Sequence, residues 1–296
     1  MSEQITNTEN MKMDEGFFIG WMPKAPIAFV KHIRKVLIAF IVIVVVSGVV
    51  LALCQKKYGR GNFEFGTLTE VKGIYFNLPV PCIKLINGKD IFGNASYVTV
   101  PLLGFGKHGV DGVMANIEKE KATSFNGKEV SLKGTLLYND GKLLMQVDAN
   151  DTPVTRIENV ADVSFQPVKE ELGQMSIKGE IVDPKCYFGV MKPGQGKPHK
   201  DCAIRCILGG IPPVLRVTND IGEANYYLIV GPNGEKMNEA VKDYVAAPVT
   251  IHARVVKYDD WVVLYVQDNK GIEPYSYLRE TFGAQVQYCT TSCDKH

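Results

Sequence analysis

Three cysteines and one histidine lie within 21 residues in the second half of this chain, and no other stretch of its 296 residues is as dense in such groups. They are Cys186, His199, Cys202 and Cys206. Thiolate and imidazole are the groups through which proteins hold zinc and copper. The spacing of Cys202 and Cys206 falls in the range of structural zinc sites, and on a helix it places both thiols on one face. These residues are therefore a candidate site for Zn or Cu.

A disulfide is the competing interpretation of the same residues. Cys186 could pair with Cys202 or Cys206 and close the Gly-rich loop between them, which suits an oxidising compartment. A bond between Cys202 and Cys206 on a regular helix lies at the limit of disulfide reach. Covalent haem would need a C-x-x-C-H run, and a thioredoxin-like enzyme would need C-x-x-C within a βαβ unit. From the sequence alone, structural thiols or a disulfide are favoured over the metal site.

The chain ends in a second group of similar residues, Cys289, Cys293 and His296. A terminal tail is usually mobile, so a local disulfide is favoured here over a second metal site. The remaining cysteine outside the membrane segment, Cys82, either belongs to a core or pairs with this tail.

The segments that must position the main cluster are short apolar runs between Gly, Pro, Asn and Asp, which is typical of strands and turns. Three short helices are predicted, at residues 110–121, 200–208 and 238–244. The second of them carries Cys202 and Cys206. It should end at Gly209 and Gly210, because glycine stops helices readily.

An internal repeat relates the two halves of the polar region. Residues 130–148 form a hairpin pattern, and residues 249–268 repeat it with one inserted residue. Residues 68–75 and 175–182 are a second related pair, and both contain Lys-Gly. The repeat predicts a mainly β protein with two related small OB-like β-barrels. The predicted divisions are a first β-domain at 64–151, a linker at 152–173, a second β-domain at 174–272 and a cysteine-containing tail at 273–296.

Residues 36–54 contain no charged side chain, and at about 1.5 Å per residue they nearly cross a hydrocarbon core. This run predicts one transmembrane helix, in preference to a buried core helix or a cleaved signal peptide. Lys12 and Lys24 raise the positive charge before the helix and favour a cytoplasmic N-terminal segment at 1–35. The two β-domains would then be extracytoplasmic.

The net charge and the motifs of the sequence disfavour several classes of function. The net charge of +1 gives no sign of nucleic-acid binding, which usually requires a basic excess. The sequence shows no Ser/His/Asp set, no paired-carboxylate motif and no phosphate-binding loop. A non-catalytic role is therefore favoured over an enzyme, and no catalytic residue is assigned.

The stretch from residue 179 to 268 resembles a family of small exported bacterial domains of poorly known function. The matching residues are Gly179, Val182, Asp183, Cys186, His199, Cys202, Ala203, Cys206, Gly209 and Gly210. The closing hairpin matches at Val249, Ile251 and Val255, with Ala253 where the family usually has glycine. The resemblance covers roughly 90 residues and implies an OB-like barrel and export from the cytoplasm.

Two functional hypotheses follow. The first is a non-catalytic, single-pass subunit of a bacterial inner-membrane complex, of respiratory or electron-transfer type, whose partners are the membrane and other membrane-protein subunits. The alternative is a metal-binding or metal-delivery protein that uses Cys186, His199, Cys202 and Cys206. A thiol-disulfide enzyme ranks last.

Overall fold

A computed structural model of the chain describes residue 25 and residues 27–55, 61–89, 91–93, 95–148, 153–159, 166–219 and 222–275. The chain divides into two compact units, Met1–Lys57 and Tyr58–His296. In the described part of the chain, the first unit contains one helix and the second contains every strand.

Helix α1 (Ile27–Gln55) makes up the described part of the first unit. Its span Phe29–Cys54 has a mean hydropathy of 3.3 and is long and apolar enough to cross a membrane. The helix begins at Ile27 rather than at Val36, so the basic residues that precede the apolar run lie on its first turns. Its described side chains are all exposed to solvent, as expected of a helix that packs against lipid.

The first barrel is a closed ring of five strands, in the order β2-β3-β4-β6-β5 and back to β2. The short strand β1 and the strand β7 add to its edge by pairing with β5. The strands are β1 (Asn62–Phe63), β2 (Thr69–Phe76), β3 (Cys82–Lys89), β4 (Ala95–Leu103), β5 (Glu129–Asn139), β6 (Lys142–Val147) and β7 (Val154–Glu158).

The second barrel repeats this ring with five strands in the order β8-β9-β10-β12-β11 and back to β8. A short strand, β13, pairs with β11. The strands are β8 (Lys169–Val182), β9 (Val214–Thr218), β10 (Ala224–Val230), β11 (Pro248–Tyr258), β12 (Trp261–Val266) and β13 (Ile272–Pro274).

The two rings share further features of an OB-like fold. In each, the third and fifth strands pair in parallel, β4 with β6 and β10 with β12. In each, a helix joins the third strand to the fourth: α2 (Asp111–Glu120) and α4 (Asn238–Val241). A closed five-stranded ring of this kind is the architecture of OB-folds. The prediction of a mainly β protein with two related small barrels is confirmed.

The register of the strands explains why both halves contain Lys-Gly. Gly73 of β2 lies opposite Val130, and Gly179 of β8 lies opposite Val249. A Cβ atom at Gly73 would lie 2.4 Å from the Lys84 carbonyl oxygen, and one at Gly179 would lie 2.5 Å from that of Arg216. Only glycine permits this approach of the first strand to the second.

The closing hairpins of the two barrels are also equivalent. Asn139 pairs with Lys142 in the first, and Tyr258 pairs with Trp261 in the second, so each hairpin has a two-residue turn. The paired strands of the two hairpins match residue for residue, so neither hairpin contains the inserted residue that the sequence comparison predicts. The extra residue of the second copy therefore lies beyond the paired strands.

Both turns contact the opposite barrel. The Tyr226 hydroxyl donates a hydrogen bond to Asp140 at 2.5 Å, and Lys84 forms an ion pair with Asp259 at 2.9 Å. Lys84 is buried and Asp259 is nearly so, with 1% and 9% of their side chains exposed. One hydrophobic cluster continues from Leu103, Leu137 and Leu144 of the first barrel into the second. The barrels therefore pack through a shared core.

The predicted helices agree with the structure within one or two residues. They are α2, α3 (Lys200–Leu208), and α4 followed by a 3-10 turn at Lys242–Tyr244. The segment predicted as a linker, residues 152–173, differs from expectation, because it contains β7 and the start of β8. Its charged residues Lys169, Glu170 and Glu171 pair with β11, which the sequence pattern did not reveal.

Candidate metal centre

The Cys/His cluster lies in the connection between the first and second strands of the second barrel. This connection runs from the end of β8 at Val182 to the start of β9 at Val214. It contains a π-helical turn (Cys186–Val190), a 3-10 turn (Lys197–His199) and α3. The equivalent connection of the first barrel, between Phe76 and Cys82, is a short loop.

The three thiols of this connection meet at one point. The sulfur atoms of Cys186, Cys202 and Cys206 all lie within 4.8 Å of one another. Cys202 and Cys206 come from one face of α3, and Cys186 comes from the π-helical turn. Cys186 and Cys206 are buried, whereas Cys202 is half-buried. A tetrahedral zinc ion with Zn–S bonds of about 2.3 Å places its sulfur ligands roughly 3.8 Å apart, so a small inward movement of the thiols would suffice.

A second triad shares Cys186. One ligand atom from each of Asp183, Cys186 and His199 lies within 4.8 Å of the other two. Asp183 is 0% exposed and His199 is 3% exposed. Among the residues that the structure describes, Asp183 Oδ2 and His199 Nε2 have no hydrogen-bond partner, although Asp183 Oδ1 accepts the backbone N–H of Lys185 at 2.9 Å. Buried polar atoms are nearly always satisfied, so these two atoms are available to a ligand.

The protonation states of His199 and Cys186 are compatible with metal binding. Burial lowers the pKa of His199, despite the opposing charge of Asp183, so the imidazole is neutral and its lone pair is available at neutral pH. A hydrogen bond with Cys206, together with burial, raises the pKa of Cys186. Without a metal ion this thiol is protonated, and a bound ion would displace the proton.

A loop of the first barrel closes one side of the cluster. The buried ammonium of Lys185 donates hydrogen bonds to the carbonyls of Gly104 at 2.8 Å and Gly106 at 2.6 Å. The N–H of Gly109 donates to the Gly209 carbonyl at the end of α3, at 2.9 Å. A Cβ atom at Gly209 would lie only 1.8 Å from the Lys107 carbonyl oxygen. Glycine is therefore required at position 209 for the two barrels to meet beside the cluster.

All four residues of the predicted metal site lie in these two triads: Cys186, His199, Cys202 and Cys206. The predicted disulfide is not formed, because all three cysteines of the cluster are free thiols. Cys82 lies in the core of the first barrel, where burial raises its pKa to about 12. The second predicted group, Cys289, Cys293 and His296, lies outside the described residues.

Sequence reasoning did not assign two residues of the site. Asp183 is one of the residues of the family resemblance, but the sequence analysis does not include it among the candidate ligands. Its position three residues before Cys186 was the available signal. Lys185 had no recognisable signal, since its partners Gly104 and Gly106 are about 80 residues away in the chain.

The chain matches no protein-family model and no curated protein sequence. The resemblance to small exported bacterial domains therefore stays a prediction, and function must be inferred from the cluster itself.

Proposed function

We propose that this protein is a membrane-anchored metal-binding protein, with zinc as the first candidate ion and copper as the second. Cys186, Cys202, Cys206 and His199 are the proposed ligands, and Asp183 stands beside them as a further oxygen donor. The observation that carries the proposal is the meeting of three thiols beside a buried imidazole and a buried carboxylate. Each of these two groups has an atom without a hydrogen-bond partner in the described part of the chain. Sulfur and imidazole donors together are typical of zinc and copper sites.

The closed surroundings favour metal storage or transfer, or a structural role, over metal catalysis. A catalytic zinc ion keeps one position open to water, whereas four protein ligands fill a tetrahedral site. Here Cys186, Cys206 and His199 are all buried, and only Cys202 reaches the surface in part. In this arrangement an ion would be exchanged through Cys202.

Elemental analysis of the reduced full-length protein in detergent, after exposure to zinc and removal of loose metal, tests the proposal. We expect about one equivalent of bound zinc per chain. Replacing Cys202→Ser or Cys206→Ser removes a thiolate and should lower zinc affinity at least about a hundredfold, because even residues that only orient a ligand contribute 10–100-fold. Less than about a tenth of an equivalent in the unaltered protein would refute the proposal.

Two matched controls separate this cluster from the other cysteines. Cys82→Ser changes a buried cysteine of the first barrel and should leave the bound zinc unchanged. A variant with Cys289→Ser and Cys293→Ser should also keep its equivalent of zinc. If that variant loses the metal while Cys206→Ser keeps it, the terminal residues are the site and the present assignment is wrong.

We also propose that the barrels lie outside the cytoplasm of a bacterium and that α1 anchors them in the inner membrane. The basic residues next to the apolar run are equal in number on its two sides, and Lys12 and Lys24 add positive charge on the N-terminal side. The resemblance to exported domains supports the same orientation. Protease treatment of spheroplasts should degrade the barrels and spare only a short N-terminal piece. Protection of the barrels until the cells are lysed would reverse the orientation.

A second proposed function, as an accessory subunit of a larger membrane complex, is supported by exposed apolar side chains on the first barrel. Ile86 and Ile91 belong to the hairpin between β3 and β4, and Ile91 is 93% exposed. Apolar groups grouped on a surface commonly mark contacts with other proteins. Native electrophoresis after mild detergent extraction should show a large species, and migration as a lone chain of 32.7 kDa would contradict the subunit role.

A further inference from the structure

Five cationic side chains lie on the connection that carries the Cys/His cluster or on the loop of the first barrel that contacts it. In the part of the chain that the structure describes, none of these five side chains forms an ion pair. Four are exposed and one is half-buried. We name this group the basic rim, and its members are Lys107, Lys192, Lys197, Lys200 and Arg205.

The members of the basic rim are placed by the same elements as the proposed ligands. Lys197 and Lys200 flank His199, and Arg205 precedes Cys206 on α3. Lys107 lies on a loop of the first barrel, and its own carbonyl oxygen lies against Gly209 at the end of α3. The rim therefore includes residues of both barrels.

The basic rim differs from other surfaces of the barrels in its local excess of positive charge. Several cations elsewhere have an acidic partner, as in Lys72 with Glu129 at 3.1 Å, Lys236 with Asp111 at 2.7 Å, and Arg254 with Glu171 at 2.8 Å. Between residues 184 and 213 the sequence has a single acidic residue, Asp201. The whole chain has a net charge of only +1, so the rim is a concentration of positive charge rather than a general property.

A surface of one sign changes which ions reach a site. It repels ions of its own sign and raises the local concentration and association rate of ions of the opposite sign. The positive charge of the basic rim disfavours the approach of a hydrated divalent cation to this surface, whereas a metal ion held by anionic ligands is attracted to it. The geometry points to a site that takes its metal from an anionic metal complex rather than from the hydrated ion.

This inference rests on the proposed metal-binding function and specifies how the site is loaded. In the exchange, the half-buried thiol of Cys202 is the first to replace a ligand of the incoming complex. The thiols of Cys202, Cys186 and Cys206 release their protons to solvent as they bind the ion, and the anionic ligands leave. The oxidation state of the ion does not change, so no reductant or oxidant is required.

The test compares zinc loading of the reduced full-length protein in neutral detergent from two probes, hydrated zinc and the anionic zinc citrate complex. The rate of loading from zinc citrate should fall by roughly tenfold or more between low and high salt, because salt screens attraction. The rate from hydrated zinc should rise over the same range, because salt screens repulsion. Opposite signs of the two salt dependences support the inference.

A charge-neutralised variant makes the test specific to the rim. It combines Lys107→Gln, Lys197→Gln, Lys200→Gln and Arg205→Gln, and it should lose most of both salt dependences while still binding one equivalent of zinc. The matched control neutralises four exposed lysines elsewhere and should behave like the unaltered protein. The control positions are Lys119, Lys121, Lys133 and Lys270.

Three results would overturn the inference. Salt dependences of the same sign for both probes would do so, as would rates that the rim variant leaves unchanged. The third is a rim variant that no longer binds phosphatidylglycerol vesicles but loads zinc citrate at the original rate, because the rim would then be a membrane contact. If no probe delivers zinc at all, the proposed function itself fails, and the inference fails with it. Normal zinc binding with unaltered rates refutes the inference alone.

Discussion

The two barrels have the same strand order but differ in the segment that joins their first and second strands. In the first barrel this segment is a short loop between Phe76 and Cys82. In the second it is a long insertion, from Val182 to Val214, with two helical turns and α3. Because one barrel closes without such an insertion, the strand ring does not require it. The insertion instead carries the Cys/His cluster and contacts the other barrel.

The insertion is nevertheless part of the shared core. Phe188 is fully buried, and its ring lies 4.8 Å from that of Tyr226 on β10. Cys186 and Cys206 belong to the same hydrophobic cluster, together with Leu103 of the first barrel. The insertion thus joins the barrels as well as holding the candidate ligands.

The largest expected effect tests this joining role. Phe188→Ala should lower the free energy of unfolding by about 3–5 kcal/mol, because it leaves a cavity where a large aromatic side chain was fully buried. The midpoint of chemical unfolding, followed by the fluorescence of the buried Trp261, would measure it. Met191→Ala, at an exposed position just after the same turn, is the control and should change stability by less than about 0.5 kcal/mol. Equal losses of stability in the two variants would show that the side chain of Phe188 does not contribute to the hydrophobic core.

The second effect compares the two equivalent hairpin turns. Asp259→Asn leaves the buried ammonium of Lys84 without its charged partner and should cost about 3 kcal/mol. Asp140→Asn keeps an acceptor for the neutral Tyr226 hydroxyl and should cost about 1 kcal/mol. The same unfolding measurement applies to both variants. A larger loss for Asp140→Asn would mean that the ion pair is not what holds the barrels together.

The smallest effect tests the repeat itself. Gly73→Ala and Gly179→Ala should each cost about 1–3 kcal/mol, because both Cβ atoms would overlap carbonyl oxygens of the neighbouring strand. Gly112→Ala, in α2 with open space around it, should instead stabilise slightly, since alanine favours helix. Thermal unfolding of the three variants would compare them. A clear loss at only one of the two strand glycines would break the structural equivalence of the barrels.

Local patterns were sufficient for much of the fold. The alternation of apolar and polar residues located both closing hairpins, and the glycine pair at 209–210 located the end of α3. The shared Lys-Gly identified the first strand of each barrel. Each of these features depends only on residues that are close together in the sequence, and periodicity and turn signals report such local structure.

Contacts between distant segments were not predictable in the same way. The predicted linker contains β7, which is a strand because of its pairing with β5 rather than because of its own composition. Lys185 is buried only because a loop of the first barrel supplies carbonyl partners. The residue types alone favoured a disulfide, whereas the fold brings three free thiols to a buried histidine and carboxylate.

The central claim is that the insertion of the second barrel holds a thiolate-bound metal ion. X-ray absorption at the zinc edge tests it most directly, on the zinc-loaded full-length protein with Cys289→Ser and Cys293→Ser, so that only the insertion can supply several thiolates. The account predicts three sulfur scatterers at about 2.3 Å and one nitrogen or oxygen scatterer at about 2.0–2.1 Å. A coordination shell with fewer than three sulfur atoms would contradict it.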